Sequence, residues 1–296
     1  MPVPAKPSAI LLATDLSARS DRAQARAVQL ARHWQARLVV AVATSTDASF
    51  SLPNAYQEPD APADAPAPES PLAYVERLAQ RELADAGVPV EIHVEAGAPG
   101  AVAAAIASRC GCGLIVTGSS RSDAVMRLDP GSTLRWLARH ASVPVLAVQQ
   151  RTRAAYQSVT MASDFSPAAD AALRLVAGWF ADASSRTLLH GYAVPLATLA
   201  LPDAARGDAL AVLHDQARRD ADAQLLRALD ATTGWTPEVR AGGPIRLLRE
   251  HAREAGTELT VIASHGRTAL MDKLMGSVAE RLLETVGTDL LLVRPR

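Results

Sequence analysis

The residues whose types and spacing could do chemistry lie in one stretch: Ala263-Ser264-His265-Gly266-Arg267, then nine residues from Arg267 to Met275, then Gly276-Ser277. A strand that ends in a small-residue turn and returns through a helix N-terminus is a natural phosphate cradle. Backbone N–H groups converge there, and the helix dipole favours an anion. Glycine lets the backbone approach phosphate oxygens with no Cβ in the way, and Ser277 adds a hydroxyl donor. The same glycines would also suit a strand-to-helix connection that holds no ligand. His265 reads as a hydrogen-bond donor rather than a general base, because no paired base or metal cluster accompanies it. Asp164, at the end of an earlier apolar run, could bind a ribose, hold Mg²⁺ through water, or cap the helix that follows Ser166-Pro167. Neither loop is a Walker A site, since no Gly-Lys-Ser/Thr occurs, and no Gly-x-Ser-x-Gly elbow is present.

The elements that must position these residues occur twice. Ala13-Thr14-Asp15-Leu16-Ser17 recurs as Ala162-Ser163-Asp164-Phe165-Ser166 at an offset of 149. Val94-Glu95-Ala96-Gly97-Ala98-Pro99 recurs as Val239-Arg240-Ala241-Gly242-Gly243-Pro244, and Gly131-Ser132 as Gly276-Ser277, both at an offset of 145. Matches in the same order with one net deletion of four define a tandem repeat, with copies over 1–150 and 155–296. In the first copy, apolar β-branched runs predict strands over Ala9–Ala13, Arg37–Thr44, Val88–Val94, Leu114–Thr117 and Val143–Val148. Ala-rich stretches with helical spacing separate them: Ser20–Trp34, Leu72–Ala86, Ala98–Ser108 and Thr133–His140. The second copy predicts strands near Ser158–Ala162, Thr187–Tyr192, Pro237–Val239, Leu259–Ala263 and Leu290–Val293. Its helices fall near Ala168–Ala181, Ala209–Leu229, Ile245–Ala255 and Val278–Thr285. Alternating β and α implies two five-stranded parallel sheets covered on both faces, with ligands beyond the carboxyl ends of the strands.

Composition narrows the function. The 296 residues are 49% hydrophobic and 21% charged, which suits globular domains with sizeable cores rather than a disordered chain. A net charge of -1 gives no basic field for nucleic acid or an acidic membrane surface. No apolar run approaches the ~20 residues of a membrane span, and Met1–Ser8 has no apolar signal core, so the expected location is cytoplasmic. Cys110 and Cys112 lack the partners of a disulfide framework, and a zinc site needs two further ligands that do not appear; they read as reduced, buried thiols. Ser51–Pro71 is rich in Pro, Ala, Asp and Glu and reads as a loop, either a lid or a solvated insertion; Gln149–Ala155 reads as a short polar linker.

With these residues in view, the chain resembles the universal stress proteins. Their nucleotide-binding signature is Gly, two residues, Gly, nine residues, Gly and Ser or Thr after the fourth strand, with an Asp ending the first. In the second copy, Ala263 stands for the first glycine, while Gly266, Gly276 and Ser277 complete the pattern, with Asp164 as the matching acid. In the first copy, Gly118, Gly131 and Ser132 are kept and Asp15 matches, but the middle glycine is Arg121. An Arg there either fills the phosphate volume or offers its guanidinium to an anion.

The resemblance implies an adenine-nucleotide α-hydrolase-like, Rossmann-type fold, and ATP or another adenine nucleotide, with or without Mg²⁺, as ligand. It places that ligand on Asp164, Ala263, Ser264, His265, Gly266, Gly276 and Ser277, with Asp15, Gly118, Arg121, Gly131 and Ser132 as a degenerate second site. His190 matches a His that often ends the family's second strand. Family domains pair through their last strands, which implies edge-to-edge pairing of Val143–Val148 with Leu290–Val293 in an internal pseudo-dimer, alongside a homodimer of whole chains. Binding as a signal is the expected role. Slow ATP hydrolysis on the same site and a ligand-free scaffold are the alternatives.

Overall fold

A computed structural model describes residues 4–44, 70–121, 128–229, 234–263 and 277–294. In the first copy the strands are β1 (Ala9–Thr14), β2 (Arg37–Thr44), β3 (Val90–Ala96) and β4 (Leu114–Gly118), with a two-residue hairpin, β5 (Ser120–Arg121) and β6 (Leu128–Asp129), before β7 (Val145–Val148). Helices α1 (Asp21–Trp34), α2 (Pro71–Glu82), α3 (Pro99–Arg109) and α4 (Gly131–His140) connect them. The second copy runs β8 (Ser158–Ala162), α5 (Pro167–Trp179), β9 (Ser185–Tyr192), α6 (Leu196–Leu199), α7 (Asp203–Leu229), β10 (Thr236–Ala241), α8 (Pro244–Glu254), β11 (Leu259–Ala263), α9 (Ser277–Thr285) and β12 (Asp289–Val293).

The strands form one ten-stranded sheet in the order β10-β9-β8-β11-β12-β7-β4-β1-β2-β3. Each half is parallel, with the strand order that right-handed crossovers produce. Central strands are buried end to end: Ile10, Leu11 and Leu12 are fully enclosed, as are Val116 and Leu290. Two apolar layers cover the faces, one under α1, α2, α5 and α7, the other under α3, α4, α8 and α9. Pro237 is tolerated because β10 is an edge strand with only one neighbour, β9.

The halves join where β12 meets β7 antiparallel, with Leu290 opposite Ala147, Leu291 opposite Leu146 and Leu292 opposite Val145. At the offset of 145, Leu146 and Leu291 are equivalent, so a pseudo-two-fold axis passes between them. The pairing covers two apolar edges that would otherwise template aggregation. The helices follow the same symmetry. Arg135 pairs with Glu284 at 3.3 Å and Arg139 with Glu280 at 3.1 Å. Arg135 and Glu280 are equivalent positions, as are Arg139 and Glu284, so the two contacts exchange under the axis. Two first copies would oppose Arg with Arg here, and two second copies Glu with Glu. The charge inversion favours the unlike pair. On the other face, Trp34 packs against Trp179 and Phe180, with ring centroids 5.3 and 5.8 Å apart.

A buried polar staple fixes the join. Asp289, whose side chain is fully buried, occupies the place of Pro144 in the first copy. Its Oδ1 accepts from the backbone N–H groups of Gln149 (2.7 Å) and Gln150 (2.8 Å). Its Oδ2 accepts from the Tyr156 hydroxyl at 2.5 Å and faces Arg26 Nε at 3.5 Å. The Arg26 guanidinium also lies 3.9 Å from the Tyr156 ring centroid. The linker is pinned where it begins and just past its end, at buried Gln149 and Tyr156, while Gln150, Arg151, Arg153 and Ala154 between them are exposed.

Several element bounds depart from the sequence reading by about two residues, β3 among them, which runs Val90–Ala96 rather than Val88–Val94. Helix α7 begins at Asp203 rather than Ala209 and carries Gly207 near its start, where the cost of about 1 kcal/mol for a glycine in a helix is borne by a 27-residue element. Helix α2 ends at Glu82, short of Ala86, and Leu83 caps it. Strand β7 starts at Val145 rather than Val143. Of the Pro-rich loop, all but Ser70 and Pro71 lies outside the described residues; Ser70 is the N-cap of α2, accepting from Ala73 N–H.

Candidate functional site

Both copies build the turn after the first strand in the same way. In the first, Thr14 Oγ1 accepts from Leu16 N–H and Asp15 Oδ1 from Ser17 N–H, each at 3.0 Å. In the second, Ser163 Oγ accepts from Phe165 N–H and Asp164 Oδ1 from Ser166 N–H, each at 3.0 Å. Leu16 and Phe165 have φ of 56° and 60°, a left-handed conformation that costs a non-glycine residue roughly 1–2 kcal/mol. The paired side-chain bonds hold that strain at the mouth of each strand. Asp164 thus braces a turn, while the cap of α5 falls to Ser166, whose Oγ accepts from Ala169 N–H.

The copies then diverge. In the second, α5 starts at Pro167, directly after its cap. In the first, Ser17–Ser20 form a further turn before α1, and Ser17 Oγ and Ser20 Oγ both donate to Asp15 Oδ1 at 2.7 Å. Burial pushes the Asp15 carboxyl up, but the hydrogen bonds from Ser20 and Ser17 prevail and hold it below its ordinary range. Asp15 therefore stands ionised beside Arg19, at the edge of a cavity of about 270 Å³. Ala41, Ala43 and Val102 form its apolar floor, and Gly118, Gly131, Ser132 and Thr133 its far wall. The cavity sits beyond the carboxyl ends of β1, β2 and β4 and at the N-terminus of α4, the location that an open parallel sheet reserves for ligands. Gly131 has φ of 69°, so its backbone needs glycine to open α4 into the cavity.

The structure thus brings Asp15, Gly118, Gly131 and Ser132 together around one space. The backbone of Arg121 pairs with Leu128 in the β5–β6 hairpin, and its side chain lies outside the described set. In the second copy, Asp164 lies two residues beyond the end of β8, Ala263 ends β11 and Ser277 opens α9, while Ser264, His265, Gly266 and Gly276 lie outside the described residues. Neither Gly118 nor Ala263 has positive φ, so the alanine costs its methyl group alone.

Strand register identifies what the sequence reading missed. Pairing aligns Ala41 with Leu189, Val42 with His190 and Ala43 with Gly191 at an offset of 148, and Val102 with Leu247 at 145. Where the first copy has Ala41 and Val102 under an open cavity, the second has Leu189 and Leu247, both buried. Gly191 is so closely packed that a Cβ would lie 2.8 Å from Gly242 O and 2.9 Å from Leu247 Cδ1. His190 stacks on Phe165 with centroids 4.1 Å apart, and its Nδ1 lies 2.8 Å from Ser163 O. Two of the three floor positions thus carry a larger side chain in the second copy, Leu189 and Leu247, and the third, Gly191, a smaller one.

The thiols also depart from expectation. Cys112 is buried, but Cys110 is half-buried, and Glu91 and His93 stand beside it. Burial, with Glu91 adding to it, raises the Cys110 thiol; burial, with Cys110 adding to it, takes Cys112 to about 11. Neither is an activated nucleophile at neutral pH.

A doubly wound α/β domain occurs here twice in tandem, with a polar-edged cavity at the strand ends of the first copy. The chain belongs to the universal stress protein family, whose family model matches residues 8–149 and again 155–294. A universal stress protein of Mycolicibacterium smegmatis is 30% identical over 196 residues, which is 62% of this chain and 62% of that protein's length. A protein of unknown function from Pseudomonas aeruginosa PAO1 superposes over 98% of this chain and 93% of its own, with a TM-score of 0.67 at 20% identity. A universal stress protein from Archaeoglobus fulgidus DSM 4304 covers 97% of this chain and 98% of its own, with a TM-score of 0.61 at 16% identity. Among the described residues no helix is long and apolar enough to cross a membrane.

Proposed function

We propose that this universal stress protein binds an adenine nucleotide in the cytoplasm as a signal, and that the first copy's cavity holds it. One observation carries the reading: Asp15, the Ala41 and Ala43 floor and the Gly131-Ser132 helix start enclose a single space. At about 270 Å³ it is slightly below the roughly 300–1,000 Å³ of ordinary small-molecule pockets, which suits a nucleoside with its outer phosphates at the rim. The apolar floor would take the base and Asp15 the sugar hydroxyls. The α4 N-terminus would take phosphate, where the helix dipole favours an anion. Mg²⁺ would enter with the phosphates, since no protein ligand set lies among the described cavity residues.

A second reading places the nucleotide in the second copy, and one sequence observation favours it: Gly266 and Gly276 are kept there, whereas Arg121 replaces a glycine in the first. Calorimetric titration of Mg-ATP into nucleotide-stripped protein separates the two. Ala41→Leu copies the second copy's floor into the first, and Gly266→Arg copies the first copy's loop into the second. Loss of binding in Ala41→Leu alone, with an unchanged melting temperature, supports the first reading. Loss in Gly266→Arg alone moves the site to the second copy.

A further inference from the structure

Three side chains of different chemistry converge at the opposite end of α3 from the nucleotide cavity. Glu91 and His93 are two apart on edge strand β3, so both project from one face, and Cys110 caps the C-terminus of α3 above that face. His93 Nε2 lies 2.8 Å from Glu91 Oε1 and 3.5 Å from Cys110 Sγ, and Cys110 Sγ lies 3.7 Å from Glu91 Oε1. Pro99 lines the nucleotide cavity at the start of the 11-residue helix. At 1.5 Å per residue the two ends are about 16 Å apart. The cluster is therefore separate from the nucleotide site.

A Cys–His–acid relay does not explain this arrangement. A relay uses the two ring nitrogens in turn, one toward the nucleophile and one toward the acid. Here Cys110 and Glu91 both approach the same nitrogen, Nε2, which has one position to share between them. Three donor atoms around a common point are the arrangement a metal ion takes. Zinc bond lengths of about 2.3 Å to sulfur and 2.0–2.2 Å to nitrogen and oxygen set tetrahedral ligand separations of roughly 3.4–3.6 Å. The two sulfur distances already match, and the nitrogen–oxygen pair needs to open by about half an ångström.

Outer contacts hold the ligands in place. Arg37 Nη1 binds Glu91 Oε2 at 2.5 Å, which leaves Oε1 turned toward the cluster, and Arg37 Nη2 donates to the Cys110 carbonyl. The fold does not require the trio. At the offset of 145 the second copy has Thr236, Glu238 and Ala255 in these places.

We infer that Glu91, His93 and Cys110 form a zinc-type transition-metal site, with the fourth position open to water. Thiolate, imidazole and carboxylate together suit Zn²⁺ and its spectroscopic substitute Co²⁺. Binding displaces the thiol proton and any proton held between His93 and Glu91, and both pass to solvent. The inference is independent of the nucleotide reading.

The test uses the full chain, freed of metal with a chelator and kept reduced, titrated with Zn²⁺ by calorimetry and with Co²⁺ by absorption. One Zn²⁺ per chain is expected, with a Co²⁺ spectrum showing tetrahedral ligand-field bands and a sulfur-to-cobalt charge-transfer band. Cys110→Ser should remove that band, and it and His93→Ala should each weaken Zn²⁺ binding at least tenfold. Cys112→Ser, confirmed folded by circular dichroism, should keep both signals. A wild-type chain that takes up no Zn²⁺, a Co²⁺ spectrum without the sulfur band, or a Cys110→Ser chain that binds as wild type does would each overturn the inference.

Discussion

Replacing Asp289 by alanine tests whether the two copies are held as one unit. The fully buried carboxylate accepts from two backbone N–H groups and the Tyr156 hydroxyl, and faces an Arg26 side chain only 5% exposed. Each neutral donor left unpartnered in the interior costs about 1–3 kcal/mol. Removing one member of a buried ion pair typically costs about 3–5 kcal/mol, because the surviving charge has no counterion. These penalties overlap, since water entering the vacated space serves several donors at once. The expected loss is therefore about 3–5 kcal/mol. Asp289→Asn should lose less, because its amide oxygen still accepts from Gln149 and Gln150 and its NH₂ can donate to the Tyr156 oxygen, leaving only Arg26 opposed. Urea denaturation followed by circular dichroism and by tryptophan fluorescence reads both quantities. Trp34 and Trp179 sit on opposite sides of the join, so they report on it directly. A loss below about 1 kcal/mol for Asp289→Ala, the cost of an ordinary hydrogen bond, would refute the claim that this staple holds the copies together.

Arg135→Glu with Arg139→Glu should lower stability by about 1 kcal/mol, the scale of partly exposed ion pairs, and Glu280→Arg with Glu284→Arg should restore it. A quadruple variant no more stable than the double would remove the charge-inversion argument. Because the Asp15 pKa is lowered in the fold, its contribution is present above the unfolded value near 3.9 and is lost as the pH falls through the folded value. Asp15→Asn should therefore be less stable than wild type at pH 7, with the difference vanishing on acidification; a difference constant with pH contradicts that assignment. Ala41→Leu should abolish Mg-ATP binding while leaving the melting temperature within a few degrees of wild type, because the cavity receives the added atoms.

Much of the fold was legible because its strands are short, apolar and β-branched and are separated by Ala-rich helical stretches. The runs Arg37–Thr44, Ser158–Ala162 and Leu259–Ala263 carry their own boundaries. The last-strand pairing followed from the family resemblance, with the physical ground that an apolar edge strand needs cover. The β5–β6 hairpin and the four-residue α6 are too short to show a period. The site was legible in part. The Asp turns and loop glycines could be found by motif, but the floor that separates the copies could not. Ala41 and Leu189 become equivalent only through strand register, which shows an isobutyl group in the second copy where the first has a methyl. The Glu91–His93–Cys110 cluster spans a strand start and a helix end, so spacing around the cysteines gave no sign of it. The one signal available was Glu-x-His in a strand, which puts both side chains on one face.

The central claim, that nucleotide occupies the first copy's cavity, is tested most directly by photo-cross-linking with an azido-adenine nucleotide and mapping the labelled peptides by mass spectrometry. The account predicts label on the first copy's floor and wall, within Ala9–Thr44 or Pro99–Leu134, removed by excess ATP. Label confined to residues 158–294, or label that excess ATP does not displace, would contradict it.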